Sequence, residues 1–245
     1  LDLVACCYPD DVTGAMWAYA HMVAELLGAR SSRADTQAQL EAALGERGTA
    51  HADVVLFGDA RHPAISRFLA HVPAVEQATA VASALWVAPR PRWPLRRILL
   101  VIGGTGADET ALEWTVRVAR PASSLVTVLT IVPPAPAMYG GHGRMEQGLP
   151  ALLKSACPLG QRMREAAHRL VESGLEATLR LRAGPPEWQV CHEIVEGDHD
   201  LVVLATGDPH RWLRWLDGDI IGPLLSRIDR PLLITTANPR TEPAD

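Results

Sequence analysis

Residues 97–102 read RILLVI, an apolar run with no alternation of polar positions. A strand with one wet face alternates with a period of two, so an unbroken run asks for cover on both faces, the condition met in parallel sheets. The runs LVTVLTIV (125–132), DLVVLAT (200–206) and RPLLITT (230–236) share this character, and EATLRLR (176–182) reads as a further strand. Helical patterns separate them. Thr110, Leu112, Val116, Val118 and Ala119 give one helix its apolar face, with Asp108, Glu109 and Glu113 near its start, where acids complement the helix dipole. A long amphipathic helix is expected from about Leu149 to Ser173, and PPEWQVCHEIVEG (185–197) opens another with proline. Strict strand–helix alternation implies a doubly wound parallel sheet.

The first half repeats this plan in worn form. ADVVLFGDARHP (52–63) aligns with HDLVVLATGDPH (199–210), each an Asp, a buried strand and a Gly-Asp turn. ALWVAPRP (84–91) then stands where LLITTANP (232–239) stands, and LDLVACCYPDD leading into VTGAMWAYAHMVAELLGA matches the strand and helix of Ile98 to Arg120. Between them, SSRADTQAQLEAALGERG is too short for the two strands and long helix of the second half. We therefore expect a shortened domain at 1–91 and a complete one at 92–245, joined by the proline-stiffened APRPRWPLR.

The net charge of -5 over 245 residues argues against nucleic-acid binding and against a membrane surface. No apolar run reaches the roughly 18 residues of a spanning helix, and the first residues lack the basic start of a signal peptide, so a cytoplasmic location is expected. Leu1, already inside a strand, suggests residues upstream. Cys6, Cys7, Cys157 and Cys191 lack CxxC spacing and read as buried free thiols rather than a disulfide or zinc framework.

The strand–turn–helix at RRILLVIGGTGADETALEW, the Pro/Gly-rich loop after LVTVLTIV and the closing block GDIIGPLLSRIDRPLLI together resemble the universal stress protein family. The likeness is full over Arg96 to Ala237 and covers Leu1 to Pro91 only in outline. It implies two flavodoxin-like (adenine nucleotide α-hydrolase-like) domains in tandem, self-associating through their last strands. In a tandem chain those strands, RPLLITT and ALWVAPR, can also satisfy each other within one molecule, as an intrachain pseudo-dimer instead of a homodimer.

Some members of that family bind ATP, with an Asp ending the first strand and a Gly-x2-Gly-x9-Gly-Ser/Thr motif after the fourth. Here Gly103 falls at the Asp, His210 replaces the second glycine after Gly207, Gly218 arrives two residues early, and Asp219 follows it. A carboxylate at 219 opposes phosphate charge. What is left of a nucleotide site is Gly103, Gly104, Thr105, Val132, Gly207, Gly218 and Asp219. In the first half Gly58 survives, but His71-Val72-Pro73 replaces the Gly-Ser-Val. The GGTG turn either keeps some anion binding at a helix start or is simply a turn that needs glycine dihedral angles.

Two segments invite other readings. His192, Glu193, Asp198 and His199 lack HExxH spacing and read as a solvated helix end. His142 has no partner nearby in sequence, and no GxSxG elbow marks a nucleophile. In HRWLRWLDGD, Arg211, Trp212, Arg214 and Trp215 replace small residues; they either fill the vacated cleft, form a partner-binding patch, or touch a membrane surface. The chain thus reads as a non-catalytic regulatory or scaffold protein of the stress response, without cofactor or metal and open to a protein partner. The alternatives are a weak ATP/AMP switch in the second domain, with Mg, or a cytosolic regulatory part of a membrane transport assembly.

Overall fold

A computed structural model describes residues 1–6, 14–36, 39, 53–58, 84–103, 108–132, 148–206, 224–225 and 227–236. In chain order the elements are β1 (Asp2–Cys6), α1 (Ala15–Leu27), β2 (Arg30–Ala34), β3 (Val54–Phe57), β4 (Ala84–Val87), β5 (Arg97–Ile102), α2 (Asp108–Ala122), β6 (Leu125–Val132), α3 (Gly148–Lys154), α4 (Pro158–Glu172), β7 (Ala177–Ala183), α5 (Pro186–Glu196), β8 (Leu201–Thr206) and β9 (Leu232–Thr236). The described strands form one nine-stranded sheet in the order β2-β1-β3-β4-β9-β8-β5-β6-β7.

Every neighbouring pair runs parallel except β4 and β9, which are antiparallel with Trp86 opposite Leu233 and Val87 opposite Leu232. The closing strands ALWV and LLITT therefore pair inside one chain, and the sheet is continuous across them. Outward from that seam the order is β4-β3-β1-β2 on one side and β9-β8-β5-β6-β7 on the other. Strand β7 has no described counterpart beyond β2.

The lack of alternation in RILLVI follows from this position. Ile98, Leu100 and Ile102 pack into a core shared with α1, α2 and α4, while Leu99 faces a second core holding Val190 and Ile194 of α5 with Leu224, Leu225 and Ile228. Each fully buried aliphatic side chain contributes about 1.5–3 kcal/mol relative to exposure, so both faces must be apolar for the strand to sit centrally. Helix α1 stops at Gly28, whose φ of 61° suits glycine and whose N–H reaches the carbonyls of Ala24 and Glu25.

The single helix expected from Leu149 to Ser173 is two helices, α3 and α4. Pro158 lacks an N–H and restricts the residue before it, and Cys157, extended at φ -69° and ψ 152°, caps α4 by accepting from Gly160 N–H. Helix α2 begins at Asp108 and buries Ala111, Leu112, Trp114, Val118 and Ala119.

The repeated aspartates make equivalent contacts. Asp53 Oδ2 accepts from the Asp2 N–H at 2.8 Å, before β3, and Asp200 Oδ2 accepts from the Arg96 and Arg97 N–H groups at 2.8 and 3.0 Å, before β8. Asp200 also helps fix the connecting segment: Arg92 reaches Asp198 at 2.8 Å and Asp200 at 3.3 Å, while Arg90 reaches Asp229 at 3.2 Å. Among the described residues no helix is long and apolar enough to cross a membrane.

Candidate functional site

In open α/β sheets ligands bind beyond the carboxyl ends of the strands where the strand order reverses, so the ends of β5 and its neighbour β8 are where a nucleotide turn belongs. Strand β5 ends at Ile102, and Gly103 follows it, exposed. The Gly103 N–H donates to Asp108 Oδ1 at 3.1 Å. Asp108 is the first residue of α2 and only 5% exposed, so its carboxylate sits at the positive end of the helix. The backbone donor and helix end that a phosphate would use already face an internal anion.

Neighbouring acceptors are occupied in the same way. The Thr130 hydroxyl donates to the Ile102 carbonyl at 3.0 Å. Val132, half-buried at the end of β6, accepts at its carbonyl from Gly184 N–H at 3.1 Å. Gly103 does not owe its place to backbone freedom: its φ lies outside the left-handed region, and a Cβ added there would meet nothing within 4 Å. The turn reading that needs glycine angles is thus corrected at this position. Of the remaining nucleotide positions, Gly104, Thr105, Gly207, Gly218 and Asp219 lie outside the described residues, as do Arg211, Trp212, Arg214, Trp215 and His142.

A cavity of about 410 Å³ opens beside this turn, between α2 and α4. Ile102, Leu112 and Ala166 supply apolar walls, and Arg162 and Arg169 reach its rim. Arg162 is matched with Glu165 at 3.2 Å and Arg169 with Glu109 at 3.0 Å, while Arg164, which also lines the cavity, donates to the carbonyls of Leu153 and Ser155. The signal for this cavity was the spacing of Arg162, Ala166 and Arg169 along one face of α4, which sequence reasoning did not use.

The solvated reading of the α5 end is corrected for two of its four residues. Asp198 and His192 are exposed, but Glu193 is fully buried and His199 is 3% exposed. Glu193 Oε2 accepts from Arg182 Nε at 2.7 Å, and its Oε1 lies 3.3 Å from Arg180 Nε and 3.7 Å from His199 Nε2. Burial pushes the His199 imidazole below its usual range, opposed by the Glu193 carboxylate. The missed signal is the period-two pair Arg180 and Arg182 in EATLRLR, which face Glu193 and Glu196 across the β7–α5 layer. Among the described residues no group of three or more His, Cys, Asp or Glu could hold a metal ion.

The cysteines are not uniformly buried. Cys157 is exposed and Cys191 half-buried. The Ser155 hydroxyl, 2.9 Å away, and then the Gly160 N–H hold the Cys157 thiol below its usual range, whereas burial pushes Cys191 up.

The universal stress protein family model matches residues 94–236. In structure the chain is similar to a universal stress protein from Archaeoglobus fulgidus DSM 4304, with TM-score 0.57 and 9% identity, covering 98% of this chain and 88% of that one. It is also similar to a protein described as a universal stress protein from Pseudomonas aeruginosa UCBPP-PA14, with TM-score 0.55 and 14% identity, covering 96% of this chain and 92% of that one. The fold likeness therefore extends across residues before 94, where the family model does not reach. A sequence search of curated proteins finds no match.

Proposed function

The chain belongs to the universal stress protein family, and from that premise we propose that it is a non-catalytic regulatory or scaffold protein of the stress response whose nucleotide site does not take ATP. The observation that carries this reading is the Asp108 carboxylate on the Gly103 amide, beside a position where the family's own carboxylate is replaced by glycine. A phosphate at that amide would have to displace an anion already placed at the helix start, and Asp219 would add a second like charge after Gly218. We further read residues 1–91 as a shortened unit and 92–245 as a complete one, acting in the cytoplasm. In this reading the antiparallel seam of β4 and β9 does within one chain what a homodimer does between two.

Isothermal titration with ATP and Mg²⁺ tests the proposal, run on the natural protein and on Asp219→Ser. The expected result is no binding heat from the natural protein. Micromolar binding by the natural protein would overturn the reading, because the glycine turns would then hold phosphate despite Asp108 and Asp219.

A further inference from the structure

Helix α5 and the outer strand β7 meet through charge. Arg180 and Arg182 stand two residues apart on β7 and so reach the same side of the sheet. Arg182 pairs with Glu193 and Glu196, and Arg180 with the same two carboxylates at 3.3 and 3.5 Å. Two cations and two anions are thereby matched, with Glu193 in the buried centre.

His199 lies against this centre without joining it. Among the described residues neither ring nitrogen has a hydrogen-bond partner, and neither does Glu193 Oε1, 3.7 Å from Nε2. The ring is also confined, since a Cβ on Gly197 would sit 2.3 Å from Nε2. The charged groups around it are Glu193 of α5, Arg180 of β7 and Arg97 of β5, whose guanidinium also donates to the Gly197 carbonyl at 3.0 Å. A proton on His199 adds a positive charge at a buried ring, where Arg180, Arg182 and Arg97 already balance or exceed Glu193 and Glu196. The nearest acceptor for that proton is Glu193 Oε1, the same atom that Arg180 approaches.

We propose that His199, Glu193, Arg180 and Arg182 form an acid-released latch that holds the outer strand β7 against α5. With the imidazole neutral the pairs are matched and the latch is closed. With the imidazole charged, His199 and Arg180 compete for one carboxylate oxygen, and β7, which carries both arginines at the outer end of the described sheet, is the element that loosens. Its other described strand neighbour is β6 alone, at the end of the sheet. The opened form gives the imidazole its ordinary proton affinity while the closed form lowers it, so opening takes up a proton and is favoured as pH falls below about 6.5.

Native-state amide hydrogen exchange on the full chain tests this, with protection factors corrected for intrinsic rates. Between about pH 6.5 and 5, protection of the β7 amides is expected to fall, by at most about 15-fold for the uptake of one proton. The amides of β5 should keep theirs. His199→Leu should remove the pH dependence from β7, and the titration of the His199 ring followed by NMR in the natural protein supplies a readout that does not depend on that variant folding. Protection of β7 that is flat over this range, a fall shared equally by β5, an unaltered response in His199→Leu, or a His199 ring that titrates at the ordinary value would each overturn the proposal.

Discussion

Gly197→Ala would ordinarily be a stabilising change. Gly197 sits at φ -86° and ψ -4°, a right-handed conformation open to any residue. Replacing glycine at such a site stiffens the unfolded chain and adds about 0.4–1 kcal/mol of stability. Here the sign reverses, because the new Cβ would lie 2.3 Å from His199 Nε2, 2.8 Å from Cδ2 and 2.9 Å from Cε1. The ring is 3% exposed and cannot move into solvent without opening the layer beneath α5. Overpacking of a confined site costs about 1–3 kcal/mol, so the net loss should be about 1–2 kcal/mol. In this size range that lowers Tm by about 2–8 °C.

Urea unfolding followed by circular dichroism measures the loss, and a double-mutant cycle with His199→Ala isolates its cause. Without the ring, Gly197→Ala should return to stabilising by about 0.4–1 kcal/mol, so the two changes couple by more than 1 kcal/mol. A Gly197→Ala protein as stable as the natural one, or the same loss with and without the ring, would refute the steric argument.

Three further outcomes are expected. Asp200→Ala removes an acceptor of two backbone N–H bonds and an Arg92 contact, whereas Asp53→Ala removes one backbone bond; at about 1.5–3 kcal/mol per bond to a charged group, Asp200→Ala should be the more destabilising by at least about 1.5 kcal/mol in urea unfolding. Iodoacetamide should alkylate Cys157 well before Cys191 near pH 7, since one thiol is exposed with its acidity raised and the other is half-buried with its acidity lowered; mass spectrometry of timed digests reports the order. Light scattering should give the mass of one chain, 26.5 kDa, because the closing edge of β9 is already covered by β4; twice that mass would show another edge or face at work.

The sheet was legible because burial on two faces leaves a one-dimensional trace. RILLVI, DLVVLAT and RPLLITT carry no polar alternation, and each became a strand with a core on both sides. The helix break at Ser155 to Pro158 was less visible, since Leu149 to Ser173 keeps a helical apolar period across it. Proline at a helix start and proline inside a helix look alike when the period is intact on both sides. The deciding fact is the extended Cys157 backbone, which a periodic reading does not sample.

The site was legible only as a loss. Comparison with a binding motif exposed the glycine at 103, but not what the fold does with the amide left there. Asp108 was read as an acid suited to a helix start, which is correct and incomplete, because the same carboxylate folds back five residues to Gly103. Nor could position along the chain separate His192 from His199. His192 lies within α5 and is exposed, whereas His199 follows its end and is buried beside Glu193, the carboxylate that Arg180 and Arg182 meet from a strand earlier in the chain. Charges that look solvated in sequence can be buried when their counter-ions arrive from a neighbouring strand at the spacing of the pleat. That pairing is a tertiary event. The period-two arginines and the i, i+3 pair Glu193 and Glu196 each look unremarkable alone, and only their meeting between β7 and α5 makes them one charge cluster with Glu193 buried at its centre.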